Sequence, residues 1–352
     1  MKIQKKRKKK QQAPKPLPLP GSIAAYEQEY YKWMAVKNYS QNTIEIRSCY
    51  LGYFVKWTEE RGLVEPSEIT KAVIERYQHY LYHYRKVRTG EPLSFNSQHT
   101  RLIPVRAFCK WLSKQNYILY NPAADLEMPR LEKRLPKDIL SASEADTVCN
   151  VPDVREPVGL RDRAMLETLY NTGMRRMEVI GLKMYDIDFD RGTVLIRQGK
   201  GKKDRMTPIG DRALAWIRKY MLEVRPSLVV SPDNGILFLT AQGEAFTRNR
   251  LTQMVRNYIN ASNVGKKGSC HLFRHTCATL MLEGGADIRF IQQLLGHADI
   301  STTEIYTQVS IKKLKEIHNL THPAARLNPE DNPGNPSKAP ESSQNPEEST
   351  EN

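Results

Sequence analysis

The sequence predicts a mainly α-helical protein with a small β-sheet, arranged as two folded domains. Three observations carry that prediction. Apolar residues recur at helical spacing through most of residues 22–320, and Ser, Thr or Asp stands ahead of many of the runs. One stretch, 186–209, switches to short β-branched runs broken by glycine turns. The chain has 352 residues, enough for two domains with proper cores.

Residues 1–21 form a basic tail in which no core can assemble. It holds DNA loosely by counterion release, or it is a solvated tail without a specific role. Residues 22–122 read as a domain of four helices. Ser22 caps the first, with Ile23, Tyr26, Tyr30, Trp33 and Met34 on one face. Ser40 or Asn42 caps the second, with Ile46, Tyr50, Phe54 and Trp57 at helical spacing and Gly62 as its stop. The third spans about 70–85, with Ile74, Tyr77 and Leu81 inward. The fourth spans about 96–114, with Ile103, Phe108, Trp111 and Leu112 inward. Aromatic stripes at this period are core rather than base-stacking platforms.

Residues 123–140 hold prolines and alternating charges and read as a linker. Residues 141–322 form the second domain. Ser141 and Glu144 make a capping box. A helix covers about 160–170, with Ala164, Leu166 and Leu169 inward. Gly173 stops it and a new helix starts at once, so Arg175 sits at a helix start with Glu178 one turn on. Strand signals follow around Ile187 and Thr193–Ile196, and Gly199–Arg205 turns the chain into Met206–Ile209. That turn lacks the full phosphate-loop pattern, so a nucleotide triphosphatase is set aside. Helices are expected at 211–225 and 247–261.

Residues 270–307 read as three short helices. The first opens near His271 and stops at Gly284-Gly285. The second starts at Asp287 and ends before Gly296. The third opens on the capping box Ser301–Glu304 and carries Tyr306. Leu280, Met281, Ile291, Leu294 and Leu295 are expected on the buried faces. His271, Arg274, His297 and Tyr306 sit where these helices start or stop. Residues 311–320 have helical apolar spacing, and 323–352 are rich in Pro, Asn, Ser and Glu and expected to be disordered.

The formal net charge is +15, with eight Lys/Arg and no acid in the first twenty residues, leaving +11 on the body between the tails. A folded body that basic points to a polyanion, most simply nucleic acid. The five scattered cysteines form no C-x-x-C pair, which suits reduced thiols in a cytoplasmic protein. The first residues lack the apolar run of a signal peptide, and no membrane span is expected.

His271-Leu-Phe-Arg274-His275, Leu295-Gly296-His297 and Tyr306, nine positions beyond His297, resemble the second signature box of the tyrosine site-specific recombinases, the phage integrase and Xer family. Thr172-Gly-Met-Arg175-x-x-Glu178 resembles the family's first box, T-G-[LM]-R-x-x-E. Gly199-Lys200-Gly-x-Lys-x-Arg205 resembles its lysine hairpin. The specific motifs lie within 172–306, whereas the layout extends over 22–320.

The resemblance implies a helical, SAM-like core-binding domain and a mixed α+β catalytic domain, closing on double-stranded DNA as a C-shaped clamp. It implies cleavage by Tyr306 through a covalent 3′-phosphotyrosyl bond, with Arg175 and Arg274 on the phosphate. His271 would be the base, His297 a second phosphate donor and Lys200 the acid, with Lys202 as fallback. Glu178 and His275 would brace the site. Two guanidiniums suit a phosphodiester because Arg stays charged and its donor fork fits phosphate. Candidate DNA contacts are Lys37, Arg47, Arg101, Arg106, Lys133, Arg134 and Lys202; for the four on the helical domain a solvated charge is the favoured reading.

No cofactor, ATP or metal is expected. Zinc at His271 and His275 is disfavoured because Arg274 stands between them. The implied partners are other protomers of the chain or a paralogue in a tetrameric synapse, with 311–320 docking on a neighbour or closing the chain's own core. A topoisomerase IB-like enzyme and a catalytically silent DNA-binding regulator are the alternatives.

Overall fold

The computed structural model describes residues 17–131, 138–197 and 204–296. The chain divides into two compact units, with the boundary between residues 133 and 134.

The first unit contains α1 (Ile23–Val36), α2 (Gln41–Glu59), α3 (Lys71–His83) and α4 (Phe95–Lys114). Each begins on a hydroxyl cap: Ser22, Ser40, Thr70 and Ser94 accept from the backbone N–H three residues on. Such caps contribute about 1 kcal/mol apiece. The core is built on rings. Tyr30 is buried with its centroid 5.6 Å from Phe108 and 5.3 Å from Trp111. Tyr77 packs edge-on against Phe54 and Trp57, at 4.9 and 5.2 Å.

Two expected core positions face outward: Ile46 is 44% and Ile103 43% exposed. The buried residues of α2 begin only at Leu51, so its first turns project beyond the packed face. On α4, Ile103 lies one residue, about 100° around the helix, from the buried row Leu102, Val105, Phe108 and Leu112.

The second unit opens with α5 (Ala142–Asn150), whose Ser141–Glu144 capping box forms as the sequence indicates. α6 (Pro157–Thr172) and α7 (Arg176–Gly181) follow, then β1 (Ile187–Asp188), β2 (Thr193–Ile196) and β3 (Arg205–Pro208). α8 (Asp211–Glu223), α9 (Arg225–Leu228), α10 (Arg248–Ala261), α11 (Cys270–Glu283) and α12 (Ile288–Leu295) complete the described elements. The three strands form an antiparallel sheet in the order β1-β2-β3. Its register pairs Val194 with Thr207 and Ile196 with Arg205. The helix expected over 211–225 ends at Glu223 and restarts as α9, with Pro226 in the first turn of the new helix. Proline lacks the N–H that a continuous helix needs there.

α6 is the axis of this unit. Leu160, Ala164, Met165, Leu166 and Leu169 are buried, and so are Arg161, Asp162, Arg163 and Glu167. A helix wrapped on all sides must pair its charges internally. Glu167 accepts from Arg163 Nε at 3.0 Å and from Arg212 Nε at 2.8 Å. Asp162 accepts from Arg161 Nη2 at 2.6 Å and from the Tyr258 hydroxyl at 2.9 Å. Burial outweighs these partners and holds the Asp162 carboxyl above its ordinary range.

α11 belongs to two apolar clusters. Cys270, Leu272 and Phe273 join the main core, whereas Cys277, Ala278 and Leu282 pack with Ile291, Leu294 and Leu295 of α12. Leu282 takes the fully buried place expected of Leu280 and Met281, which are half-buried. No helix among the described residues is long and apolar enough to cross a membrane.

Candidate active site

The site starts from a turn. α6 ends on Gly173, whose φ of +58° is left-handed, a conformation that favours glycine. A Cβ there would stand 2.9 Å from Leu295 Cδ2 and 3.4 Å from Cys277 Sγ. The turn therefore fits directly against α11 and α12. It delivers Arg175 in extended conformation as the N-cap residue of α7, with its backbone N–H donating to Glu178 Oε2 at 2.8 Å.

Glu178 is the hub of the polar network. Its Oε1 accepts from Arg175 Nη1 at 3.0 Å and from Arg205 Nη1 at 2.9 Å. Its Oε2 also accepts from Arg205 Nη2, at 2.7 Å. Burial alone would raise this carboxyl's pKa. The Arg205 bonds and the Arg175 N–H overcome that and hold it below the usual carboxylate value.

Three successive carbonyls at the C-terminal end of α12 are each met by a different arginine. Leu294 O accepts from Arg205 Nε at 3.3 Å, Leu295 O from Arg274 Nη2 at 2.8 Å, and Gly296 O from Arg175 Nη2 at 2.8 Å. The last carbonyls of a helix have no partner within it and carry its negative end, so cations are favoured there. Arg274 also donates to Gly173 O at 2.7 Å through Nη1. It is 4% exposed. The two guanidiniums of the arginine motifs, 99 residues apart in sequence, are thus anchored on neighbouring carbonyls.

His271 lies on the first turn of α11 and reaches solvent. Partial desolvation, then the charges of Arg176, Arg274 and Arg175, lower its pKa below 6.5. His275, one turn on and half-buried, is lowered by burial and by the charges of His271 and Arg274. At neutral pH both imidazoles are therefore held neutral.

Arg175, Glu178, His271, Arg274 and His275 come together where the ends of α6 and α12 meet α11. Lys200, Lys202, His297, Tyr306, Lys133 and Arg134 lie outside the described residues. In the first unit, Lys37 and Arg106 are exposed. Arg47 donates to the Tyr30 hydroxyl at 2.8 Å, and Arg101 stacks 4.8 Å from the Tyr53 ring centroid.

Two cations at the site escaped the sequence reading as functional residues. Arg205 had a signal, as the last residue of the lysine-hairpin motif, but its partner Glu178 lies 27 positions away. Arg176 occupies a variable motif position. It donates to Thr252 Oγ1 at 2.6 Å, and its buried Nε has no hydrogen-bond partner among the described residues.

The site thus gathers guanidiniums anchored on carbonyls beside an imidazole whose pKa is lowered. The chain belongs to the phage integrase family: the family model covers residues 138–313, and the model of the phage integrase SAM-like domain covers 22–128. Tyrosine recombinase XerC 2 of Ralstonia nicotianae is 48% identical over 309 residues, spanning 88% of each chain. Tyrosine recombinase XerD of Chlorobaculum tepidum is 34% identical over 82% of this chain and 92% of its own. Among solved structures, XerH site-specific recombinase bound to palindromic difH substrate aligns with a TM-score of 0.65 at 24% identity, covering 83% of each chain. A lambda integrase dimer bound to a COC′ core site aligns at 0.59 and 18%, over 81% of this chain and 95% of that one. These likenesses show that the fold is shared.

Proposed function

We propose that the chain is a site-specific DNA recombinase that cuts and rejoins strands through a covalent 3′-phosphotyrosyl intermediate, without metal or ATP. The observation that carries this reading is the convergence of Arg175 and Arg274 on the carbonyls of Leu295 and Gly296. It fixes two permanent cations side by side, one residue before His297. The family membership and the 48% identical recombinase support it.

In this reading a DNA phosphate sits between the guanidiniums, which offset its charge and the charge gathered in the transition state. The Tyr306 oxygen attacks phosphorus. Its proton passes to the neutral His271, and the bond to the 5′ oxygen breaks. Lys200 gives that oxygen a proton. A phenol of pKa about 10 is ionised in roughly one molecule in a thousand at pH 7, so a base is needed. His297 donates to the phosphate, and Glu178 and His275 hold the frame. Attack by another 5′ hydroxyl reverses the step and exchanges the strand. The basic body binds double-stranded DNA, and protomers assemble on it as a tetramer, residues 311–320 docking on a neighbour.

The test is a nicked suicide duplex carrying the repeat that the full chain selects from random-sequence DNA, followed by denaturing electrophoresis. Wild type is expected to give a slow covalent species that Tyr306→Phe abolishes. No such species from wild type would establish the silent regulator. Relaxation of supercoiled DNA without pairing of two sites would establish the topoisomerase-like enzyme.

The acid limb of the reaction follows His271. Its pKa in the folded chain is depressed, so the basic form persists below pH 6.5. The cleavage rate is expected to hold from pH 8 down to about 6.5 and to fall only below it. In His271→Gln that limb should vanish from a lower plateau, as single-turnover rates across pH will show.

A further inference from the structure

We propose that Arg205 is a positioning residue for the strand-transfer centre, fixing through Glu178 the aim and the effective charge of Arg175 and clamping the end of α12. This deepens the recombinase reading and rests on it. Arg205 opens β3, opposite Ile196 on β2. Its side chain is 14% exposed and that of Glu178 is 5%, so both are withdrawn from solvent. A fork of two bonds, at 2.9 and 2.7 Å, seats it on both carboxylate oxygens. Its Nε reaches across to Leu294 O. A Cβ on Gly296 would lie 2.9 Å from that same Nε, so the guanidinium rests directly against the backbone at the exit of α12.

The arrangement has a definite consequence for charge. Glu178 is one anion between two guanidiniums, and the four bonds from Arg175 and Arg205 fill the acceptor sites of its carboxylate. With Arg205 present, Arg175 keeps net positive charge to offer a phosphate. Without it, Glu178 pairs one-to-one with Arg175 and is free to rotate. The pull on the phosphate weakens, and the guanidinium loses its fixed aim. Misplacement by about 1 Å costs roughly 100-fold in rate. Arg205 acts on the reaction only through Glu178, Arg175 and the α12 backbone, and contacts no reacting atom.

The test compares full-length wild type, Arg205→Ala and Arg205→Lys on the same suicide duplex. The single-turnover cleavage rate of Arg205→Ala, measured far below its melting transition, is expected to fall about 100-fold with DNA affinity near wild type. Its melting temperature should drop, because the buried Glu178 carboxylate and Leu294 O each lose a donor. Guanidinium chloride at low millimolar concentration should restore part of the rate, and methylammonium should not. Arg205→Lys keeps the charge but lacks the planar fork, so it should recover only part of the lost rate. In hydrogen exchange, the amides of residues 294–296 should exchange about 10-fold faster in Arg205→Ala. Wild-type cleavage rates in Arg205→Ala, or a loss far below the melting transition that follows DNA affinity or shows no guanidinium rescue, would overturn the proposal. If wild type itself forms no covalent species, the recombinase reading fails separately. The exchange rates then decide the clamp, and unchanged amides at 294–296 sink it.

Discussion

Arg274→Ala is expected to lower the single-turnover rate of DNA cleavage by about two to three orders of magnitude, the cost of removing one preorganised donor from a developing negative charge. The same substitution should also weaken the fold. Arg274 is 4% exposed and bridges Gly173 O, at the end of α6, to Leu295 O, at the end of α12. Alanine leaves both carbonyls without that donor, at about 1–3 kcal/mol for each acceptor left buried and unpaired. The two effects separate by temperature. Cleavage measured far below the melting transition reports the chemistry, and urea unfolding reports the bridge. Arg274→Lys refines the point. It keeps a cation but has no rigid fork to span two carbonyls, so it should recover less rate than its charge alone would give. A rate for Arg274→Ala within tenfold of wild type would remove Arg274 from the phosphate.

Glu167→Ala should be the most destabilising single change away from the site, by about 3–5 kcal/mol, because it strands buried cations. Glu167 is 1% exposed and holds Arg163 on one oxygen and Arg212 on the other. Arg163 has other support, from the Asn150 side chain and from the Trp216 ring at 4.8 Å. Neither neutralises its charge. Arg212 is half-exposed and retains Asp146 at 2.8 Å, so the larger share of the penalty falls on Arg163. Hydrogen exchange of the α6 amides in urea follows the unit directly, whereas tryptophan fluorescence would mix Trp216 with Trp33, Trp57 and Trp111 of the first unit. Glu167→Gln, which keeps an acceptor and loses the charge, should fall between wild type and alanine. A change under about 1 kcal/mol in Glu167→Ala would mean that water reaches Arg163 in solution.

The parts of the site legible in the sequence are those whose geometry is local. A glycine that ends one helix just before another begins places Arg175 and Glu178 within one turn, and spacing alone puts His271, Arg274 and His275 on one side of α11 within little more than a turn. The glycine at 173 was readable as a stop. That its missing Cβ makes room for Leu295 was not, because the neighbour lies 122 positions away. Arg205 shows the same limit: its motif gave its position in the chain but not the carboxylate it serves. α6 fails for a different reason. Binary patterning sends Arg161, Asp162, Arg163 and Glu167 to solvent, yet helices packed around α6 leave them no outside, and paired opposite charges make burial tolerable. Ile46 and Ile103 show the converse, since apolar spacing marks a candidate face but not how far the neighbouring helix extends along it.

The cap on α12 has a thermodynamic corollary. Among the described residues that helix shares an apolar cluster of six buried side chains with the far half of α11, and guanidiniums on its last carbonyls add to its anchorage. An anion drawing on Arg175 or Arg274 therefore perturbs the tether of α12 in the same act. By reciprocity, whatever stabilises or strains that tether must raise or lower the affinity for the anion by an equal factor. Ligand and helix compete or cooperate for one set of charges, and neither can be tuned alone.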